Sequence, residues 1–247
     1  NDVSEQSNLQ LADFKRLGVL GLWDNPYRTM RFDTEANEIR ALKRIMEKGY
    51  VYRGLKPVTG ALTAVRTGRS EVEYKDKTSP TIDVAFELAE DQKERVESIF
   101  GVKLEKPCFT VIWTTTPWTI PSNQALNVNP ELNYVLVDTG AKLLILGEGL
   151  YEDALKRYEL TGTVLATVKG EALDGLEFLH PLYHMHEGYR RRSPVYLADY
   201  VDATAGTGIV HSAPAYGVDD FVSCKNHGLK NDDIISPVQG DGVFATG

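Results

Sequence analysis

From Glu71 onward the sequence consists of short runs rich in β-branched residues, separated by Gly, Pro, Asn and Asp. Such runs are typical of strands joined by turns, and they leave room only for short helices. The predicted strands are residues 71–74, 82–87, 108–114, 134–137, 142–146, 163–168, 195–197 and 208–211. Residues 138–141, Asp-Thr-Gly-Ala, are expected to form the turn of a hairpin.

Helices are predicted beside the strands, at residues 32–50, 90–100 and 147–158. The first has Asp33 or Thr34 as its candidate N-cap and Gly49 as its candidate C-cap. Its apolar positions are expected to form a buried stripe. This stripe consists of Ile39, Leu42, Ile45 and Met46.

The order of these elements predicts an α+β fold in two parts. A short helical lead-in would comprise residues 1–58. A strand-rich, mostly antiparallel and barrel-like domain would comprise residues 59–247, with its core at about residues 71–236.

The formal charge of −8 over 247 residues argues against a protein that binds nucleic acid with its whole surface. A compact basic cluster, residues 190–192, is expected to be a solvated turn. No apolar run approaches the ~18 residues that a membrane helix needs, so no membrane partner is expected and a cytoplasmic location is predicted. Cys108 and Cys224 are predicted to be reduced. The missing initial Met suggests a fragment of a longer protein.

The stretch VIWTTTPWTIPSNQA places three threonines at the end of a predicted buried strand. Pro117 forces the chain out of the sheet, so Thr114, Thr115 and Thr116 are expected at the strand mouth, with hydroxyls facing a pocket. A helix beginning near Pro121 would direct free amide donors to the same place. The alternative is that these hydroxyls only cap the strand and the turn.

A second stretch, DATAGTGIVHSAPAYGVDDF, combines a glycine pair with a histidine and two acids. Gly208 allows a close approach of the backbone, the strand after it delivers His211, and Asp219 and Asp220 open a predicted helix. A histidine at a strand end and an acid at a helix start can converge on one pocket. The alternative is a hydrogen-bonded core histidine and an N-capping aspartate.

Together the two stretches resemble the editing domain of class I aminoacyl-tRNA synthetases, in the form found in isoleucyl-tRNA synthetases. Valine and leucine relatives carry Thr-Thr-Arg-Pro followed by an acidic residue, whereas this chain has Thr-Thr-Thr-Pro-Trp-Thr at residues 114–119. GTGIVHSAP and DDF match the second editing motif. Further similarity, through LGVLGLWDNPYRTMRFDTEANEIRALKRIMEKGYVYRGLKPV and EVEYKDKTSPTIDVAFEL, covers nearly the whole chain.

The resemblance implies roles for particular residues of this chain. Asp220 would hold the α-ammonium of the substrate, and His211 would limit its side chain, admitting valine and excluding isoleucine. The implied catalytic residues are Thr114, Thr115, Thr116, His211 and Asp220. The implied substrate-binding residues are Thr119, Asn123, Trp118 and Gly208.

The implied activity is hydrolytic proofreading, the deacylation of valyl-tRNA(Ile), with valyl-adenylate as a further substrate. The implied partners are the acceptor end of tRNA(Ile), the valine moiety and the remainder of the synthetase. Editing would need no metal or other cofactor, whereas ATP and zinc would belong to the full-length enzyme. The His-x-Gly-His and Lys-Met-Ser-Lys-Ser signatures of the ligase centre are absent from this sequence. The alternative is a non-catalytic tRNA-binding module.

Two parts of the sequence depart from the pattern of bacterial relatives. Tyr216 stands in place of a common histidine and Ala215 in place of a glycine, which changes the outer rim of the expected pocket. Residues 59–70, TGALTAVRTGRS, lack a cysteine pair that can take part in a zinc site. We hypothesise a frame slip in the source DNA there; resequencing tests this, and an in-frame reading of the same residues would refute it.

Two other patterns suggest chemistry that the sequence does not support. His180, His184 and His186 lie close together but lack an acid or cysteine at a convincing spacing, so they are predicted to be partly exposed strand and turn residues and not a metal site. Ser212 follows a histidine, yet no Gly-x-Ser-x-Gly nucleophile elbow is present, which argues against a serine hydrolase.

Overall fold

The computed structural model describes residues 2–54 and 78–245. The chain divides into two compact units, Asn1–Gly54 and Leu55–Gly247. The predicted strand at residues 71–74, the atypical residues 59–70 and the predicted boundary after residue 58 lie outside the described residues, so these three expectations stay predictions.

The first unit contains helix α1, Asp2–Arg16, and helix α2, Phe32–Glu47. The C-cap of α2 is Lys48, one residue before the predicted Gly49. Gly49 nevertheless closes the helix as predicted: it adopts a left-handed φ of 77°, and its N–H donates to the carbonyl of Met46 at 2.8 Å. The predicted N-cap is wrong, because Asp33 lies inside the first turn and the N-cap residue is Arg31.

The apolar stripe of α2 is not buried in this chain, which corrects the sequence-based prediction. Its four members, Ile39, Leu42, Ile45 and Met46, are all exposed. The periodicity is genuine, but an amphipathic helix buries its stripe only where another element covers it. Within the described residues, α2 has no buried side chain.

The second unit consists of nine strands and three helices among its described residues. The strands are β1 Ile82–Glu87, β2 Cys108–Thr114, β3 Ala125–Val128, β4 Asn133–Asp138, β5 Leu143–Gly147, β6 Thr163–Lys169, β7 Glu177–Leu179, β8 Arg192–Leu197 and β9 Val210–Ser212. The helices are α3 Lys93–Phe100, α4 Tyr151–Arg157 and α5 Val218–Asn226.

The described strands form two sheets, of order β1-β2-β5-β4-β6 and β7-β8-β3-β9. Only the β2–β5 and β3–β8 pairs are parallel, so the α+β, strand-rich and mostly antiparallel prediction is confirmed. The barrel-like arrangement needs correction. A bridge between Leu88 and Phe178 joins the sheets at one corner, but the described strands do not close into a barrel, because β6 and β9 remain edges.

The main core lies between the two sheets and contains Ile112 of β2, Leu126 of β3 and Phe178 of β7. Alternate residues of the five-stranded sheet point to its other face, where Leu144 packs with Leu155 of α4. With both faces covered, β4 and β5 are almost completely buried and form a rigid base. The two cysteines, which were predicted to be reduced, are free, and both are buried.

Candidate functional site

A cavity of 320 Å³ lies where the end of β2 approaches β9 and the start of α5. Its volume falls near the lower end of the range for small-molecule pockets, ~300–1,000 Å³. The cavity is lined by Trp113, Thr114, Thr115, Thr116, Thr119, Val210, His211, Ala213, Tyr216, Gly217 and Asp220.

The threonine wall is formed where β2 ends. Thr114 is buried, and its Oγ1 accepts a hydrogen bond from the backbone N–H of Thr116 at 3.1 Å. Pro117 then begins a short 3₁₀ helix, Pro117–Ser122, so the helix expected near Pro121 begins four residues earlier. Thr115 and Thr116 are exposed at the mouth of the cavity, and the hydroxyl of Thr116 lies 3.3 Å from that of Thr114.

His211 forms a buried wall of the same cavity. Its Nε2 lies 2.9 Å from the hydroxyl of Thr119, and its Nδ1 lies 3.2 Å from the side-chain nitrogen of Asn123. Burial lowers the pKa of His211 to about 4, so the imidazole is neutral near neutral pH. The contacts with Thr119 and Asn123 give both ring nitrogens of His211 a hydrogen-bond partner in the protein.

Asp220 lies in the first turn of α5 and folds back towards the strand that precedes it. Its Oδ2 accepts the backbone N–H of Ala213 at 3.0 Å. The absence of a side chain at Gly217 makes this possible, because a Cβ there would lie 2.6 Å from Oδ2. Burial raises the pKa of Asp220 above its usual value, and the Ala213 hydrogen bond partly opposes this.

The rim of the cavity is aromatic. The rings of Trp118 and Tyr216 meet edge to face, with centroids 5.0 Å apart. The Tyr216 hydroxyl accepts the N–H of Val238 at 3.0 Å, which ties the following segment to the rim. Tyr216 thus supplies a contact surface where relatives were expected to have histidine.

The structure brings six of the expected site residues together in the cavity lining: Thr114, Thr115, Thr116, Thr119, His211 and Asp220. Asn123 lies behind His211, and Trp118 lies at the rim. Gly208 lies elsewhere: with a φ of 78°, it packs against Gly147, whose Cα would be 3.0 Å from a Cβ at this position. Its placement fits close strand packing. The roles of all these residues stay predictions.

Sequence reasoning missed Arg191 and Ser193 as part of the site's support. Arg191 is half-buried, and its guanidinium donates to the carbonyls of Pro121, Asn123 and Gly188. The expectation of a solvated turn is therefore wrong for this residue. Arg192 forms ion pairs with Asp91 and Glu177 on the surface. Nothing in a run of three arginines indicates that Arg191 is half-buried against backbone carbonyls while Arg192 forms ion pairs on the surface.

The histidine cluster has three separate environments. His180 is buried, so its predicted partial exposure is wrong; its Nε2 donates to the carbonyl of Ile120 at 2.9 Å. His186 accepts the N–H of Gly188 at 3.1 Å, and His184 is exposed. Within residues 2–54 and 78–245, no group of three or more His, Cys, Asp or Glu side chains could hold a metal ion.

Residues 2–226 match the family model described as "tRNA synthetases class I (I, L, M and V)". The chain therefore belongs to the class I tRNA synthetases.

Within that class, the chain is similar to isoleucine–tRNA ligases. It is 57% identical to the enzyme of Pseudomonas fluorescens strain SBW25 over 98% of its length, and 57% identical to that of Cupriavidus metallidurans over 99%. It spans about a quarter of the length of these relatives and corresponds to a part of an isoleucine–tRNA ligase. The resemblance drawn from the two sequence motifs is thus confirmed.

One solved structure to which the chain shows partial similarity is the crystal structure of the P. knowlesi cytosolic leucyl-tRNA synthetase editing domain. It is 14% identical with a TM-score of 0.47, and the match covers 67% of this chain and 73% of that one. Among the residues that the structure describes, no helix is long and apolar enough to cross a membrane.

Proposed function

We propose that the cavity hydrolyses the aminoacyl ester of valyl-tRNA(Ile), the mischarged product of an isoleucine–tRNA ligase. One observation carries the proposal: a partly buried carboxylate, Asp220, and a wall of threonines line the same small cavity. The match to isoleucine–tRNA ligases supports the choice of tRNA.

A second site is needed because the synthetic site cannot exclude valine well. One methylene in an apolar pocket contributes only ~1–3 kcal/mol to discrimination, a limit for which the isoleucine enzyme is itself the standard example. A smaller hydrolytic site that admits valine and rejects isoleucine removes the remaining errors. In this proposal His211 is the wall that rejects the larger side chain.

Hydrolysis of the ester needs a held ammonium, a positioned water and donors for the developing oxyanion. Asp220 would hold the α-ammonium, since a carboxylate in a buried position binds a cation strongly. Thr115 and Thr116 expose hydroxyls that would position the water and donate to the oxyanion. Thr114 and Thr119 would support that wall from the buried side.

The general base is not one of the obvious side chains. His211 uses both ring nitrogens within the protein, and its lowered pKa makes it a weak base. Ser212 is buried and donates to the side chain of Asn127, so it is not a free nucleophile. The family resemblance suggests that a hydroxyl of the terminal adenosine assists the water.

The partners follow from this reaction. They are the acceptor end of tRNA(Ile), the valine moiety in the cavity and the remainder of the synthetase, in the cytoplasm. Valyl-adenylate would be a second substrate of the same cavity. We infer that editing uses no metal or cofactor, while ATP and zinc belong to the full-length enzyme.

Asp220→Ala tests the site assignment. We expect it to slow deacylation of valyl-tRNA(Ile) by roughly 100-fold, because a charged hydrogen bond to the ammonium is lost. The matched control is Asp219→Ala. This substitution removes an equal charge from the neighbouring residue, which is exposed and lies outside the cavity. The rates are measured as ester loss, with circular dichroism as a check of folding.

Equal rates in a folded Asp220→Ala variant and in wild type would contradict the assignment. Binding of uncharged tRNA(Ile) is measured alongside. Binding without any ester loss in wild type would contradict hydrolysis and favour the alternative, a non-catalytic tRNA-binding module.

A further inference from the structure

Ser193 lies behind the cavity and does not touch it. It is fully buried at the second position of β8, and its hydroxyl donates to Oδ1 of Asn123 at 2.6 Å. Asn123 in turn contacts Nδ1 of His211. One serine is therefore connected to the cavity wall through a single amide.

The direction of each hydrogen bond in this connection can be assigned. The hydroxyl of Thr119 donates its one proton to the carbonyl of Thr116 at 2.8 Å, so it accepts from Nε2 of His211. In a neutral imidazole with Nε2–H, the other nitrogen is an acceptor. Nδ1 therefore accepts from the amide NH₂ of Asn123.

The amide of Asn123 is completely used in this arrangement. Its nitrogen donates to Nδ1 of His211 and to the carbonyl of Ala125, which lies 2.9 Å away. Its oxygen accepts from Ser193. A rotated amide would place oxygen against the Ala125 carbonyl and against Nδ1, so only one orientation satisfies every group.

We propose that Ser193 is a positioning residue for selectivity: through Asn123 it fixes the tautomer and the ring plane of His211, the wall that limits substrate size. This inference rests on the proposed editing function for its effect on substrates. The hydrogen-bond chain itself can be tested without any substrate.

Ser193→Ala leaves the buried oxygen of Asn123 without a donor, which loosens the amide and the imidazole that it orients. We expect the ratio of valyl to isoleucyl ester hydrolysis to fall about fivefold, the effect typical of one net hydrogen bond. We also expect the ¹⁵N shifts of His211 to move from the Nε2–H pattern towards a mixture of tautomers. Ser193→Thr keeps the hydroxyl and is expected to restore both properties.

Ser122→Ala is the matched control. Ser122 is also fully buried and is the neighbour of Asn123, but its hydroxyl has no hydrogen-bond partner among the described residues. Its removal is expected to change neither the selectivity nor the ¹⁵N shifts of His211. The His211 signals are assigned by their absence from a His211→Gln variant.

The ¹⁵N shifts of His211 and the ratio of valyl to isoleucyl ester hydrolysis separate this inference from the proposed function. Unchanged His211 shifts and unchanged selectivity in a folded Ser193→Ala chain would overturn the inference, whatever the activity. The same result in Ser193→Ala and Ser122→Ala would also overturn it. If wild type hydrolyses neither ester but Ser193→Ala alters the His211 tautomer, the proposed function fails while the positioning role stands.

Discussion

Asp220 is the residue at which stability and the proposed function oppose each other. Its carboxylate is largely buried, which raises its pKa, and among the described residues no cation lies within ion-pair distance of it. A charge held in such a place destabilises the folded chain, and a bound ammonium would offset that cost. Residues that destabilise the fold but are needed for function are common at binding sites.

Asp220→Asn is therefore expected to stabilise the chain near neutral pH, by about 0.5–2 kcal/mol, while deacylation is lost. The amide keeps an oxygen for the N–H of Ala213. The sign follows from linkage: with a raised pKa in the folded state, the cost is present above that pKa and disappears as the pH falls towards the ordinary value of 3.8. Thermal unfolding of both chains over a pH series measures this, and a gain that is independent of pH would contradict it.

His211 shows what a single residue allows one to predict. The GTGIVHSAP motif identifies the histidine as a site residue, but nothing in the local sequence indicates that it is neutral and held from behind. That state depends on Asn123, which lies 88 residues away in the sequence, and on Ser193 of β8. Long-range hydrogen bonds of this kind have no sequence pattern.

At the scale of elements, the predicted strands with clear alternation or long apolar runs were found as β1, β2, β4, β5 and β6. β3 and β7 were not predicted, because four and three residues are too few to show a period. β3 nevertheless pairs Leu126 with His211 and so places the second motif beside the first. The site was located by its motifs, whereas the sheet that joins them needed the structure.

The 3₁₀ helix after β2 is held by side chains from outside it. Its last carbonyls accept few hydrogen bonds within so short a helix, where that of Ile120 accepts the backbone N–H of Asn123 at 2.9 Å. His180 donates to the carbonyl of Ile120, and Arg191 donates to those of Pro121 and Asn123. The 3₁₀ helix that follows the threonine wall is thus held at its start by Pro117 and at its end by these two side chains.

Arg191→Lys is expected to destabilise this element, because the ammonium group of lysine cannot replace a planar guanidinium that donates to three carbonyls. We expect a loss of about 1–3 kcal/mol in the free energy of unfolding. The control is Arg190→Lys, an exposed neighbour, for which a change within about 0.5 kcal/mol is expected. Urea unfolding measures both variants, and equal stabilities would show that the carbonyl contacts contribute nothing.

For the whole molecule, two buried neutral histidines predict sensitivity to acid. Burial lowers the pKa of His180 and that of His211 to about 4, whereas the ordinary value is 6.5. Between these values the unfolded chain binds protons that the folded chain cannot, so stability falls as the pH decreases from 6.5 to 4. At about 1.4 kcal/mol per unit, each histidine contributes roughly 3 kcal/mol to this loss.

Unfolding midpoints over this pH range test the prediction. His180→Gln is expected to reduce the pH dependence, since glutamine can donate to the Ile120 carbonyl without titrating. His184→Gln is the control, because His184 is exposed. A pH dependence that is unchanged by His180→Gln would exclude His180 as a cause.

The structure leaves one predicted apolar surface exposed, the stripe of α2. A buried stripe on α2 was predicted from periodicity alone. The periodicity could not indicate that the described residues leave the stripe exposed. The chain spans about a quarter of its isoleucine–tRNA ligase relatives. The editing proposal concerns only the cavity that this chain itself contains.

The most direct measurement is the rate of ester loss from valyl-tRNA(Ile) and from isoleucyl-tRNA(Ile), each incubated with the same wild-type chain. The cavity bounded by Asp220, the threonine wall and His211 predicts rapid loss of the valyl ester and little loss of the isoleucyl ester above the uncatalysed rate. Equal rates for the two esters, or no acceleration of either, would contradict the proposal that this cavity edits mischarged tRNA.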